Sequence, residues 1–402
     1  MLLRDHENWL LRCFDCGREY DREPVSSRCE CGGVLELVLT DGFPRAGDFR
    51  SGRGVWGYSK ALPVSDESKI VTINEGNTPL IMAENIRVSE RTELFIKNEG
   101  QNPTGSFKDR GMTVAVTRAK EIGAKTLVCA STGNTSASAS AYAARGGMKA
   151  VVLVPAGKIA GGKLVQAIVH GAKVIRVSGD FDRALELMMQ EAKDREELYV
   201  VNSINPFRIE GQKTGAFEIF EQLGSKVPDY VILPVGNAGN ISAYWKGFSE
   251  LKRWGFTDKT PRMIGVQAAG ASPLVQLFQS GKDRLVRWDN PETVASAIRI
   301  GNPVSWRKAL DAVNASGGQL LSVTDEEILA AQRNLASREG IFVEPASAAP
   351  LAAIERLKDS LPRGSIVVAI ATGSGLKDQG VVKVDSEKLP LISDARELED
   401  YL

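Results

Sequence analysis

At 402 residues, 43% of them hydrophobic and 25% charged, the chain has the length for two to three domains at roughly 150 residues each and can bury a core without disulfide staples. With 50 basic residues against 50 acidic ones there is no net charge, which excludes a nucleic acid held by bulk charge. No apolar run reaches the roughly 18 residues of a membrane span, and MLLRDHENWLLRC carries Asp and Glu where a secretion signal needs an unbroken apolar core, so the expectation is a cytoplasmic protein without a membrane partner.

The first elements form a small module over 1–40. Four of the five cysteines lie between Cys13 and Cys31. Cys13-x2-Cys16 and Cys29-x-Cys31, with Gly17, Gly32 and Gly33 in the turns, offer four thiolates to a structural zinc in a zinc-ribbon-like unit. The second pair is one residue shorter than the usual ribbon spacing, so a metal-free ribbon is the alternative. Residues 45–69 are rich in Gly and polar side chains, and Val55, Trp56, Tyr58 and Leu62 read as isolated anchors on a connection outside the core.

Beyond it the pattern is α/β. Strands are expected at Thr126–Ala130, Ala150–Pro155, Lys173–Val177, Val231–Val235, Met263–Ala268 and Ile366–Ala371. Helices are expected at Phe107–Glu121, Thr135–Arg145, Gly162–His170, Asp180–Lys193, Gly211–Gln222, Ile241–Lys252, Asp325–Arg338 and Ala346–Leu357. Short apolar strands alternating with helices imply two mostly parallel sheet domains covered on both faces. The boundaries read as a small domain over 101–201 and a larger one built from 41–100 and 202–402. Asp394 to Asp400 reads as a solvated terminal helix or tail.

Four loops sit where such sheets bind ligands, at strand ends or helix starts. In NPTGSFKDRG at 102–111, Lys108 opens a helix against the helix dipole, which is explained if it joins covalently to an aldehyde cofactor beside anion-binding amides; a solvated lysine is the bland reading. ASTGNTSAS follows a strand at 130–138 and can form a narrow anion nest to which Asn134 adds a planar amide, a plain Ser/Thr-rich cap after a strand being the alternative. PVGNAGN at 234–240 has neither dinucleotide nor triphosphate-loop order and suits a smaller phosphate ester. ATGSGLKD at 371–378 brings the Thr372 hydroxyl, or is no more than a Gly-rich strand exit. Arg208, in VNSINPFR, is a possible bidentate anion clamp or a plain structural arginine. His6 and His170 are the only histidines, and no loop contains either, so a different group must carry protons.

Taken in order, these five segments resemble those of the threonine synthases within the tryptophan-synthase-β-like, fold type II, pyridoxal-phosphate enzymes, over roughly Cys13 to Lys377. The resemblance implies pyridoxal 5′-phosphate as cofactor, with Lys108 as the residue that bonds it and carries protons. It implies Asn134 beside the 3′ oxygen, Gly236, Asn237, Ala238, Gly239 and Asn240 around the 5′ phosphate, and Thr372 opposite the pyridine nitrogen. Ser131, Thr132 and Thr135 would hold substrate carboxylate or phosphate, and Asn202, Ser203, Arg208 and Asn237 a substrate phosphate. The activity implied is conversion of O-phospho-L-homoserine and water to L-threonine and phosphate, in a homodimer. GNAGN departs from the poly-Gly loop of dehydratases and serine racemases. Cysteate or cysteine synthases and a threonine or serine dehydratase are the alternatives of the same fold. A zinc-ribbon nucleic-acid-binding or non-catalytic regulatory protein is the alternative of another class, although basic and acidic residues balance across 12–33.

Overall fold

The computed structural model describes residues 8–21, 27–88, 92–156, 161–179, 181–193, 195–378 and 380. His6 and the Asp394–Asp400 tail lie outside the described residues. The N-terminal module is a three-stranded antiparallel sheet of β1 (Trp9–Cys13), β2 (Glu19–Tyr20) and β3 (Leu35–Leu39), ordered β2-β1-β3. Alternation in β3 buries Leu35, Leu37 and Leu39, and the module packs this face onto the rest of the chain through a shared core with Val55, Met112 and Val114.

The chain then lays down β4 (Leu80–Met82) and β5 (Glu93–Asn98), passes through the 102–107 loop and enters α1 (Lys108–Glu121). A run of β6 (Thr126–Ala130), α2 (Asn134–Gly146), β7 (Lys149–Pro155), α3 (Gly161–Val169), β8 (Lys173–Val177), α4 (Phe181–Lys193) and β9 (Leu198–Val200) follows. These four strands make an all-parallel sheet in the order β8-β7-β6-β9. After α5 (Pro206–Gln222) come β10 (Tyr230–Pro234), α6 (Gly239–Arg253), β11 (Arg262–Ala268), α7 (Pro273–Ser280), α8 (Trp306–Ala315), β12 (Gln319–Val323), α9 (Asp325–Glu339), α10 (Pro345–Leu357) and β13 (Ile366–Ala371). Six strands form a second sheet, β12-β11-β10-β13-β5-β4, in which only β4 runs antiparallel.

Strand composition explains the layering. YVILP in β10 is buried at every position and β13 at all but its first, as expected of strands covered by helices on both faces. Helix limits follow local chemistry. Asn205 caps α5 by accepting from the Phe207 amide, with Pro206 at the first position, while Thr324 and Glu327 close a capping box on α9. No helix among the described residues is long and apolar enough to cross a membrane.

Two expectations change. The 45–69 segment is not merely connection: Val55, Tyr58, Ala61 and Leu62 are buried, Tyr58 within the aromatic cluster of Phe49 and Phe217. Spaced apolar residues on a 3-10 turn can each reach the core without any run that reveals it. Helix α5 also begins at Pro206, not Gly211, so Arg208 lies in its first turn. Gly211 is there for close packing: a Cβ on its neighbour across the crossing, Gly111 of α1, would lie 2.6 Å from the Arg208 carbonyl oxygen.

Candidate active site

Three of the four loops leave the carboxyl ends of adjacent parallel strands. Register pairs Asn98 with Ala371, so the loop after β5 and the loop after β13 start side by side. They then zip together: the Ser374 amide donates to Gly105 at 2.9 Å, the Phe107 amide donates to the Thr372 carbonyl at 3.0 Å, and Ser106 bridges Gly373. Gly105 sits at φ +81°, which a side chain would strain. This zipper puts Lys108 one residue beyond the segment paired with Thr372. The 236–240 loop leaves β10, the other neighbour of β13.

In the four-stranded sheet, the loop after β6 and the segment after β9 are tied to each other. The Asn202 side chain donates to the Ala130 carbonyl at 2.9 Å and accepts from the Ala130 amide at 3.0 Å. Its hydrogen bonds hold two strand ends together, and Ser203 lies partly exposed beside it. Ser131, Thr132, Asn134 and Thr135 line the start of α2, all partly exposed, and the Asn134 amide reaches over to Glu344 at 3.0 Å. The sequence patterns contain no signal for Glu344, which immediately precedes α10.

Electrostatics single out Lys108. Burial, and then the Arg208 guanidinium, draw its amine down to about 7, with Glu344 opposing them. The amine lies over the Phe107 ring, 4.1 Å from its centroid. Arg208 is wholly buried; burial lowers it to about 10, leaving it cationic at neutral pH. It donates through Nη1 to the Val201 carbonyl at 3.1 Å, while Nε and Nη2 have no partner among the described residues.

The phosphate-sized loop has the matching feature. Ala238 adopts φ +66° and turns the chain into α6, whose N-terminus therefore opens onto the loop. Asn240 is buried with both its amide nitrogen and oxygen unpartnered, and Asn237 accepts through its carbonyl from the Ser305 amide at 3.1 Å. Gly236 approaches the 296–298 turn closely, since a Cβ there would lie 3.0 Å from the Ala297 carbonyl oxygen. Ser106 Oγ, also buried and unpartnered, adds a third idle group. An unsatisfied buried polar group costs about 1–3 kcal/mol, so the Arg208 guanidinium, the Asn240 amide and the Ser106 hydroxyl are places where a polar or anionic ligand would be favoured. The Thr372 hydroxyl, 2.9 Å from that of Ser347, and the Asn134 amide add neutral groups suited to a ring nitrogen and a ring oxygen. Pyridoxal phosphate, with one phosphate, one aldehyde and such a ring, matches this donor set.

In the N-terminal module, Sγ atoms of Cys13, Cys16, Cys29 and Cys31 all lie within 4.8 Å of one another, with Cys13 and Cys31 3.6 Å apart and Cys16 and Cys29 3.5 Å apart. All are free thiols, as is Cys129, buried in β6 as a small apolar residue should be. His170 is exposed at the end of α3.

Comparison with known proteins agrees with the chemistry. Residues 71–373 match the family model described as pyridoxal-phosphate dependent enzyme. A threonine synthase of Methanocaldococcus jannaschii is 52% identical over 98% of this chain and 99% of its own length. That of Synechocystis is 53% identical over 88% of this chain and 86% of its own length. Among solved structures, a threonine deaminase of T.th. superposes with a TM-score of 0.62 at 26% identity, covering 74% of this chain and 92% of its own. Maize serine racemase, at 23% identity and a TM-score of 0.65 over 76% and 89%, shares the fold. With the match spanning both sheets and the lysine loop, the chain belongs to the threonine synthase family of pyridoxal-phosphate-dependent enzymes.

Proposed function

We propose that the chain converts O-phospho-L-homoserine and water to L-threonine and inorganic phosphate. The observation that carries this reading is Arg208, a buried guanidinium with two unused donors beside Lys108 and on a different element from the 236–240 loop. One anion site suffices for a cofactor; a second, built from a buried cation, calls for a substrate with its own phosphate. Cysteine synthases and dehydratases have no such need.

Under this reading Lys108 bonds the cofactor, Asn134 lies beside its 3′ oxygen, Gly236, Asn237, Ala238, Gly239 and Asn240 enclose its phosphate, and Thr372 faces its ring nitrogen. When bound, pyridoxal phosphate supplies an electron sink for negative charge at the substrate α-carbon. The remaining work falls to the chain. Ser131, Thr132 and Thr135, at the N-terminus of α2, bind the substrate carboxylate with backbone amides aimed at it. Arg208, with Asn202, Ser203 and Asn237, grips the substrate phosphate, and the hydrogen bonds of Asn202 to Ala130 also tie the two strand ends together. Lys108, once released, moves protons at the substrate α- and β-carbons, its lowered basicity leaving the neutral amine well populated near pH 7. Thr372 offers a hydroxyl and no carboxylate, so it would hydrogen-bond a ring nitrogen facing it without supplying an acidic proton.

The four cysteines are assigned to a structural zinc. Tetrahedral Zn–S bonds of about 2.3 Å separate sulfurs by roughly 3.8 Å, close to the spacing here, and four protein ligands leave no open position for catalysis. Gly17 and Gly32, both at positive φ, supply the knuckle turns. Elemental analysis of freshly prepared reduced protein that finds no zinc overturns this assignment. A nucleic-acid role for the module is disfavoured because its sheet is docked: Lys213 lies 5.0 Å from the Trp9 ring centroid, and Lys246 and Lys308 donate to the Leu37 and Leu35 carbonyls. The reading also includes a homodimer and a cytoplasmic location, the latter suited to five unpaired thiols. It takes 41–100 with 202–402 as the cofactor domain and 101–201 as the smaller one.

The test supplies purified protein and pyridoxal phosphate with O-phospho-L-homoserine, O-phospho-L-serine or L-threonine. Threonine and phosphate should appear in equal amounts from the first alone. An oxo-acid from threonine, or turnover of phosphoserine with none of phosphohomoserine, would overturn the proposal.

A further inference from the structure

Three chain segments from both sheets converge on one buried carboxylate. Glu344 is 5% exposed and immediately precedes α10. Its backbone amide donates to the Gly373 carbonyl at 3.0 Å, in the loop after β13. Its two carboxylate oxygens accept from Asn134 Nδ2 at 3.1 and 3.0 Å, in the loop after β6. Gly373 is required for this placement, since a Cβ there would lie 2.7 Å from Glu344 Oε1. One turn further along α10, Ser347 sits 2.9 Å from the Thr372 hydroxyl and accepts from the Gly373 amide at 2.8 Å. Glu344, just before α10, and Ser347, in its first turn, thus hold Asn134 and Thr372.

A primary amide has a donor end and an acceptor end of nearly equal shape, and only its partners decide which faces where. An ionised carboxylate accepts only. Facing Glu344, the Asn134 side chain must present Nδ2; turned by half a rotation, its Oδ1 would meet negative charge in a buried setting where that repulsion is strong. We propose that Glu344 is a positioning residue for the reaction: by fixing the orientation of the Asn134 amide, it sets the hydrogen-bonding face that Asn134 offers to the cofactor's 3′ oxygen. The inference rests on the reading above that Asn134 lies beside that oxygen.

The test is Glu344→Gln, which keeps size but offers Asn134 a donor as well as an acceptor, so the amide loses its fixed sense. The visible spectrum of the pyridoxal-phosphate-loaded protein is recorded without substrate between acid and alkaline pH, alongside kcat and KM for O-phospho-L-homoserine. The charged groups that face Glu344 are Lys108 of α1, and Lys377 and Asp378 after β13; burial raises the Glu344 carboxyl, and the Asn134 hydrogen bond, Lys377 and Lys108 oppose that rise. Expected are stoichiometric cofactor binding, a visible band whose pH profile is displaced, and a kcat lower by about tenfold to a hundredfold with KM little changed, the range a charge-assisted hydrogen bond controls. Asn134→Ala should displace the profile likewise, and combining both changes should add nothing to Asn134→Ala. If Glu344→Gln does not fold, Glu344→Asp takes its place: the charge is kept and the reach shortened, and the same displacement is expected. An undisplaced profile, or losses that multiply in the double variant, overturns the role of Glu344. Failure of the unaltered protein to bind pyridoxal phosphate would instead overturn the underlying reading, so the two failures are told apart.

Discussion

Gly211 of α5 lies so close to Arg110 of α1 that a Cβ on the glycine would fall 1.8 Å from the arginine's carbonyl oxygen. The two backbones touch there, and the contact fixes how near the start of α1, with Lys108, comes to the start of α5, with Arg208. Gly211→Ala should force the helices apart at a cost above the about 1–3 kcal/mol of ordinary overpacking. Thermal unfolding of the variant should show a much lower midpoint, and whatever folded protein remains should bind phosphohomoserine poorly. A variant with unchanged midpoint and KM would show that the crossing can relax without disturbing the site.

Lys108 must be neutral to react with an aldehyde. Because burial and Arg208 lower its basicity to about 7, protonated amine should limit covalent capture of pyridoxal phosphate below that pH and not above it. Stopped-flow absorbance on cofactor-stripped protein should therefore give a capture rate that rises with pH to a plateau just above 7, far below the ordinary lysine range. Removing the neighbouring cation in Arg208→Ala should move that rise to higher pH. Lys108→Ala should lose both the visible band and turnover. A rise that continues toward pH 10 would mean the amine is better solvated than its surroundings imply.

Arg208 and the 236–240 loop serve different anions in the proposed site, so they should fail differently. Arg208→Ala should raise KM for phosphohomoserine by about tenfold to a hundredfold, as expected when one charge-assisted pair is lost, with cofactor affinity changed by far less. Asn240→Ala should weaken the cofactor first. Equilibrium titration of pyridoxal phosphate beside steady-state kinetics separates the two, and equal loss of both affinities in Arg208→Ala would merge the two anion sites into one.

Much of this is legible in the chain. LVCA, VILP and VVAIA are continuous apolar runs, and parallel strands covered on both faces leave that trace; the strands at Lys173–Val177 and Ile366–Ala371 have the limits expected of them. Lys108 stands out because it opposes a helix dipole in a Gly- and Pro-marked turn. Strands β4, β5, β9 and β12 leave weaker traces, being short or, like ELFIKN, interrupted by a lysine that is paired inside. The expected start of helix α5 at Gly211 follows from glycine usually marking an end, whereas Asn205-Pro206 is the stronger start signal. Glu344 has no local signature at all. Its importance comes from pairings with Asn134 and Gly373, contacts across the fold that no periodicity records.

ELFIKN also contains the clearest stability test. Lys97, on β5, donates to Glu218 at 2.7 Å, and Glu218 takes two further bonds from Arg110, at 2.7 Å from Nη1 and 2.6 Å from Nη2. Arg110 closes the network on Glu99 at 2.7 and 2.8 Å, with all four side chains buried. Burial alone would raise the Glu218 carboxyl, but Arg110 and Lys97 outweigh it and hold the group below the usual carboxylate range. A carboxyl lowered on folding contributes stability that is complete above its unfolded pKa, near 4.3, and disappears as pH falls through the folded value. Glu218→Gln leaves two buried cations short of a counter-charge, and breaking such a pair costs about 3–5 kcal/mol. Urea unfolding at pH 7 should show that loss. Repeated at progressively lower pH, the unaltered protein should lose stability more steeply than the variant, so that the gap between them narrows. The network starts two residues beyond Lys108, so the variant should also bind pyridoxal phosphate more weakly at pH 7. A gap that stays constant into acid would assign the loss to packing and not to the charge of Glu218.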